Sequence, residues 1–342
     1  MIKNSKQSQI WPNNLRAIAT ISVILLHVSA PILSKFSDVS IYTWQIGNIY
    51  DSLSRYCVPV FFMLSGALLL NKDYKLEIFI KKRFFRIIPP FIFWSIVYII
   101  YKIIDINKDF NSVIDLIFYF IRNLFNGSQY HLWFIYTLLG LYLLMPILRK
   151  WIKHASKKEI QYFLLIWSIT IIYAIPRLKG YLPKLYLVNF SGFLGYMILG
   201  FYLSKLNSFK TYKLLTVFSL SLIFTILGTY YLSIKNLAFN EVLYGYLMPN
   251  VLINSIALFL LIKQVNIKSK PITYILSKIS MHSYGIYLIH VLILSLLSKI
   301  GLDWRLANPL ISIPSITILT VLISTLSIHL GKKIKFISKL IG

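Results

Sequence analysis

Apolar stretches of about twenty residues alternate along the chain with short polar connections, and ten of them have the length and composition to cross a bilayer. They fall near residues 12–33, 53–71, 87–104, 130–149, 160–176, 190–206, 212–233, 243–263, 281–299 and 308–331. This pattern predicts an all-α, polytopic transmembrane helix bundle of about ten spans, a single membrane-embedded unit over residues 1–342 with no appended soluble domain. Two further segments fit the interface better than the interior. Leu76 to Ile88 interleaves basic residues with Ile78, Phe79, Ile80, Phe84 and Phe85 and ends at Pro89-Pro90, which predicts an interfacial helix turning there into the third span. Val113 to Phe125 is apolar but short, with Asp115 and Arg122, and predicts an interfacial or re-entrant helix.

Composition agrees with a membrane protein: 57% of residues are hydrophobic and 13% charged. A formal charge of +26 would suggest nucleic acid in a soluble chain, but its distribution gives another reading. Lys72, Lys75, Lys81, Lys82, Arg83 and Arg86 lie between spans two and three, and Arg149, Lys150, Lys153, Lys157 and Lys158 between spans four and five. Such runs mark cytoplasmic loops. With ten spans, both termini are then expected in the cytoplasm, most acidic residues fall on the opposite side, and no nucleic-acid partner is implied. The one cysteine, Cys57, excludes an intrachain disulfide. Lys3 and Lys6 ahead of an apolar run ending at Val28-Ser29-Ala30 give a faint signal-sequence pattern. Because Pro31 follows directly, the first span is expected to be retained.

Polar residues inside these spans are costly in lipid and therefore informative. Arg16 and His27 are eleven residues apart on the first span, so they share one helix face about 16 Å apart along the axis. A neutral imidazole can take a proton from a hydroxyl near pH 7, although a histidine hydrogen-bonded between packed helices fits the pattern equally well. Arg83 and Arg86, three residues apart, present two guanidinium groups on one face, a geometry suited to phosphates and also to simple anchoring at the inner surface. Phe61-Phe62-Met63-Leu64-Ser65-Gly66 supplies a small-residue patch for helix packing or a ligand chain. In Tyr130-His131-Leu132-Trp133-Phe134 the aromatics fit an interfacial belt, with His131 an interfacial group of no necessary role. Tyr287 and His290 share a face of the ninth span within Ser283-Tyr284-Gly285-Ile286-Tyr287-Leu288-Ile289-His290. There is no zinc signature, nucleotide-binding loop or serine-hydrolase elbow, and no acidic residue is expected within the membrane.

These five motifs, in this order and placement, resemble the acyltransferase-3 family of integral membrane acyltransferases across nearly the whole chain. Within it the chain is most similar to stand-alone O-acetyltransferases of surface polysaccharides, such as the type acting on enterobacterial common antigen. The resemblance implies transfer of an acetyl group from cytoplasmic acetyl-CoA to a hydroxyl of a cell-surface or lipid-linked glycan. His27 matches the family's essential histidine, Arg16 its basic partner, Arg83 and Arg86 the pair associated with the acyl donor, and His290 a recurring position of less settled role. Ser65, His131, Trp133 and Tyr287 are candidates for the substrate channel. Ala67 departs from the usual larger residue after Ser65-Gly66. Acetyl-CoA is expected as a co-substrate, with no permanently bound cofactor and no metal. The expected partners are membrane lipid and the acceptor sugar, the expected location is the cell membrane, and a homo-oligomer is compatible with the sequence. Two alternatives stay open at this point: succinyl transfer to an exported poly-N-acetylglucosamine, and a transporter or flippase of a lipid-linked sugar.

Overall fold

The computed structural model describes residues 2–106, 109–173, 175 and 192–342, the side chains of residues 2–9 excepted. The described residues form twelve α-helices and no strand, as the all-α expectation requires: α1 Ile2–Leu33, α2 Ile41–Ser54, α3 Cys57–Leu69, α4 Leu76–Asp105, α5 Val113–Asn126, α6 Trp133–His154, α7 Lys157–Tyr173, α8 Leu194–Lys205, α9 Thr211–Asn236, α10 Pro249–Gln264, α11 Lys270–Lys299 and α12 Pro309–Gly331. Among the described residues, eight helical segments are long and apolar enough to cross a membrane, α2 and α3 counting together as one. The fifth and sixth expected spans fall on α7 and α8, of 17 and 12 residues, and run partly outside the described residues.

The side-chain distribution is that of a bundle in lipid. On α9, Leu220, Phe224, Leu227 and Tyr231 point outward, each at least 58% exposed, while Ser221, Thr225, Thr229 and Ser233 are buried at four-residue spacing. Small polar residues let helices approach closely and find hydrogen bonds that hydrocarbon cannot supply. Here Asn250 on α10 donates to Thr225 Oγ1 at 2.9 Å, and Asn48 on α2 donates to the Ile226 carbonyl at 3.0 Å. α1 runs through the middle, packed against α2, α3, α10, α11 and α12, so the line from Arg16 to His27 lies inside the bundle.

Three expected segments differ in the structure. The second span begins at Ile41, not residue 53, and breaks between α2 and α3. Pro59 accounts for the break: it has no N–H to give the Arg55 carbonyl, and its ring crowds that carbonyl. The third span has no turn at Pro89-Pro90, since α4 runs through both prolines from Leu76 to Asp105. The expected interfacial helix is therefore the first third of a long helix. α5 has no buried residue, and Ile114, Phe118, Ile121 and Phe125 remain exposed, which fits an interfacial helix and not a re-entrant one.

The tightest crossing joins α3 and α8. A Cβ at Gly66 would fall on the Met197 carbonyl, and one at Gly200 on the Met63 carbonyl, so each glycine accepts the other helix's backbone. Backbone on both sides leaves no flexible side chain to yield. Gly66→Val is therefore expected to cost about 1–3 kcal/mol and to lower the thermal unfolding midpoint in detergent. Gly140→Ala, whose added methyl meets nothing within 4 Å, should leave the midpoint unchanged.

Candidate active site

Two cavities lie along α1. The larger, of about 250 Å³, opens at the end of the bundle where Arg16 (α1), Arg83 and Arg86 (α4) and Lys332, the residue after α12, all line its wall. Arg16 is held by neutral partners, its Nη1 lying 3.4 Å from both Asn13 Oδ1 and Ser280 Oγ. None of the four cations forms an ion pair with a carboxylate among the described residues, and Arg83 Nε is buried without a hydrogen-bond partner. Guanidinium and ammonium groups gathered without counter-charge form a site for a polyanion. Deeper in, the wall becomes apolar through Phe61, Leu64, Leu68 and Leu138. Ser65 lines it too, but its hydroxyl donates back to the Phe61 carbonyl at 3.0 Å.

The smaller cavity, of about 30 Å³, is lined by His27, Cys57, His131, Trp133, Tyr246 and neighbouring apolar residues. Phe134 and Tyr287 line both cavities and form the partition between them. Three imidazoles converge here: His27 and His290 ring centroids are 5.2 Å apart, His131 and His290 5.1 Å, and His27 and His131 6.4 Å. His131 arrives through a 3-10 turn, Tyr130–Leu132, that starts α6 and is capped by the Gln129 side chain accepting from the Tyr130 amide. Within that turn His131 and Leu132 are buried, while Tyr130 is 59% exposed with its ring centroid 5.2 Å from that of His27. The Tyr287 hydroxyl donates to the His131 carbonyl and fixes the turn against α11.

His290 is wholly buried, and its protonation follows from its partners. Its Nδ1 lies 2.7 Å from the Tyr287 carbonyl, which can only accept, so Nδ1 carries the hydrogen. Nε2 has no partner and offers a lone pair. On the far side of the same turn, the Tyr98 hydroxyl donates to the Leu288 carbonyl at 2.7 Å and accepts from the Leu292 amide at 3.2 Å. These are the two ends of one helical hydrogen bond. No group of His, Cys, Asp or Glu among the described residues could hold a metal ion.

A family model described as an acyltransferase domain matches residues 9–329. The chain belongs to the acyltransferase-3 family. It is a membrane-bound acyltransferase and a multi-pass integral membrane protein. Comparison with curated proteins and with solved structures returns no match.

Every candidate site residue of this acyltransferase lies on one of the two cavities or, for His290, against the smaller one. Arg16, Arg83, Arg86 and Ser65 line the larger cavity; His27, His131 and Trp133 line the smaller; Tyr287 lines both. His131 departs most from expectation, being a buried member of the imidazole cluster and not a belt residue. Hydropathy registers the aromatic neighbours but not the turn that directs His131 inward beside Leu132.

Sequence reasoning missed Lys332 and the Asp51–Arg55 pair. Lys332 sits three residues past the end of the family match, in a basic tail that reads as an anchor. No acidic residue is expected within the membrane and Arg55 stands at the start of the expected second span, yet the Asp51 side chain is 0% exposed and Arg55 16%, and they form an ion pair between α2 and the residue that follows it. Pro59, four residues after Arg55, was the available signal that the span is broken and not short.

Tyr287→Phe keeps the ring in the partition and removes the hydroxyl that holds the His131 carbonyl. It is expected to lower stability by about 1 kcal/mol and to reduce acyl transfer, as measured by thermal unfolding and transfer activity on the same preparation.

Proposed function

We propose that this acyltransferase moves an acetyl group from cytoplasmic acetyl-CoA to a hydroxyl of a cell-surface or lipid-linked glycan, working in the cell membrane. The observation that carries this reading is the pairing of a cation-lined cavity with an imidazole-lined one across a shared Phe134–Tyr287 partition. Coenzyme A is polyanionic at one end and presents its thioester on a long, flexible arm. The basic loops favour a cytoplasmic position for the cation end, where the phosphates would remain. The arm would lie along Phe61, Leu64 and Leu138, and the thioester would reach His27, about 16 Å from Arg16 along α1. Only the acyl group crosses.

In the direct route, His27 takes the proton of the acceptor hydroxyl as its oxygen attacks the thioester carbonyl. The tetrahedral adduct then collapses with cleavage of the C–S bond, and the thiolate leaves with the proton held on His27. His290 serves as the positioning group. With its Nδ1 hydrogen committed to Tyr287, its Nε2 can accept the N–H of His27, which leaves the other His27 nitrogen as the base. In the covalent route His27 itself attacks the thioester, forms an acyl-imidazole and releases CoA before the acceptor arrives. Trapping of an acyl-enzyme without acceptor decides between them.

Acetyl is favoured over succinyl because the smaller cavity is only about 30 Å³ and its lining contains no Lys or Arg to meet a second carboxylate. Competition between acetyl-CoA and succinyl-CoA tests this preference.

His27→Ala is expected to reduce acceptor-dependent CoA release by about 100-fold or more, and unimpaired turnover would falsify the proposal. His290→Ala should lose roughly tenfold or more in kcat with little change in the affinity for CoA, while His290→Asn, which retains an acceptor atom, should recover part of it. Lys332→Gln should weaken CoA binding by about three- to tenfold at low salt, and the difference should shrink as ionic strength rises. An unchanged affinity at low salt would remove Lys332 from the donor site.

A further inference from the structure

The Asp51–Arg55 pair is the one charged constellation inside the described bundle that the transfer chemistry leaves unused. Its setting is polar. The Tyr244 hydroxyl donates to Asn48 Oδ1 at 2.5 Å and lies 3.3 Å from Ser52 Oγ, so one face of α2 is joined to the connection between α9 and α10. Arg55 stacks its guanidinium on the Tyr244 ring at 4.0 Å and lies 6.0 Å from the Tyr246 ring centre.

Three observations distinguish this pair from a structural ion pair. Asp51 uses only Oδ1 for Arg55; its Oδ2 is buried and has no partner. Leaving half of a buried carboxylate unsatisfied is expensive, and packing alone gives no return for it. The pair also neighbours the histidine cavity: Tyr246, whose ring centre is 6.0 Å from the Arg55 guanidinium, lines that cavity, as do Cys57 and Val58, two and three residues after Arg55. Finally, an aromatic surface leads from the pair to the protein exterior, with Trp133 stacked on Tyr246 at 5.9 Å and itself 37% exposed. A carboxylate acceptor, a planar donor and flanking aromatic faces together match a polyhydroxylated ring, whose hydroxyls need both donors and acceptors and whose C–H face packs on aromatics.

We propose that Asp51 and Arg55 form the acceptor subsite, binding one hydroxyl of the sugar while a neighbouring hydroxyl of the same sugar faces His27. This subsite rests on the glycan-acylation reading above and adds the residues that hold the acceptor. Asp51 Oδ2 accepts the sugar O–H, and Arg55 donates to an adjacent oxygen.

The test separates binding from scaffolding. Replacing a buried ion pair by apolar residues of similar size tends to leave stability unchanged or raise it. The Asp51→Leu/Arg55→Met double variant should therefore keep its thermal midpoint and its affinity for CoA within about twofold, yet lose the acyl mass increment on cell-surface glycans by roughly tenfold or more. Asp51→Asn, purified and titrated with fragments of the glycan acylated by the wild type, should raise the acceptor KM by about fivefold or more with a smaller effect on kcat. Glycan acylation at the wild-type level in the double variant overturns the subsite, and so does loss of CoA binding in parallel with acylation. A wild-type protein that adds no acyl group to any surface glycan removes the glycan reading itself, whereas failure of the variants alone to behave as stated removes only the subsite.

Discussion

Hydrocarbon offers no hydrogen bonds, and that constraint organises this molecule from α1 outward. A cation, an imidazole and a buried carboxylate can each persist in the bundle only where other helices bring partners or where a ligand is meant to enter. Arg16 is held by Asn13 and Ser280, and His290 is tied to the Tyr287 carbonyl. Around the two cavities the unpaired atoms are Arg83 Nε beside the larger, His290 Nε2 and the His131 ring nitrogens beside the smaller, and Asp51 Oδ2 next to Arg55 in that same zone. Among the described residues the other unpaired buried atoms are both ring nitrogens of His282, Asn250 Oδ1 and single hydroxyls of serine and threonine, of which the hydroxyls cost least to leave alone.

Two backbone features hold that zone in place. At Gly66 and Gly200 the backbones of α3 and α8 meet directly, so the wall carrying Phe61, Leu64 and Ser65 cannot shift without moving α8. At Arg55–Tyr56 the second span is interrupted, and the residues on either side face different tasks: Asp51 and Arg55 meet the α9–α10 connection, while Cys57 and Val58 line the histidine cavity.

The readable part of the site was the part written as regular helix. Arg16 and His27, eleven residues apart on one unbroken span, could be placed from the helical repeat, and Arg83 and Arg86 kept their shared face even though α4 continues through Pro89-Pro90. The residues misread all depend on a local departure from regularity or on long-range contact. His131 is turned inward by three residues of 3-10 helix. Asp51 and Arg55 flank the start of the expected second span, and only the tertiary contact with Tyr244 reveals them as a buried pair. Lys332 acquires its place from the cavity assembled by α1, α4 and α12, which no local pattern records.

The division into two cavities has a chemical logic of its own. A thioester near a base is exposed to water, so transfer to a sugar requires that water be excluded from the reacting carbonyl until the acceptor is present. In the proposed reaction the Phe134–Tyr287 partition meets that need, since the donor arm itself would fill the passage through which water from the cation end could enter. The same partition couples position to chemistry: Tyr287 holds the His131 turn through its hydroxyl and the His290 tautomer through its carbonyl. One residue on α11 thus sets both the width of the passage and the orientation of two of the three imidazoles beyond it.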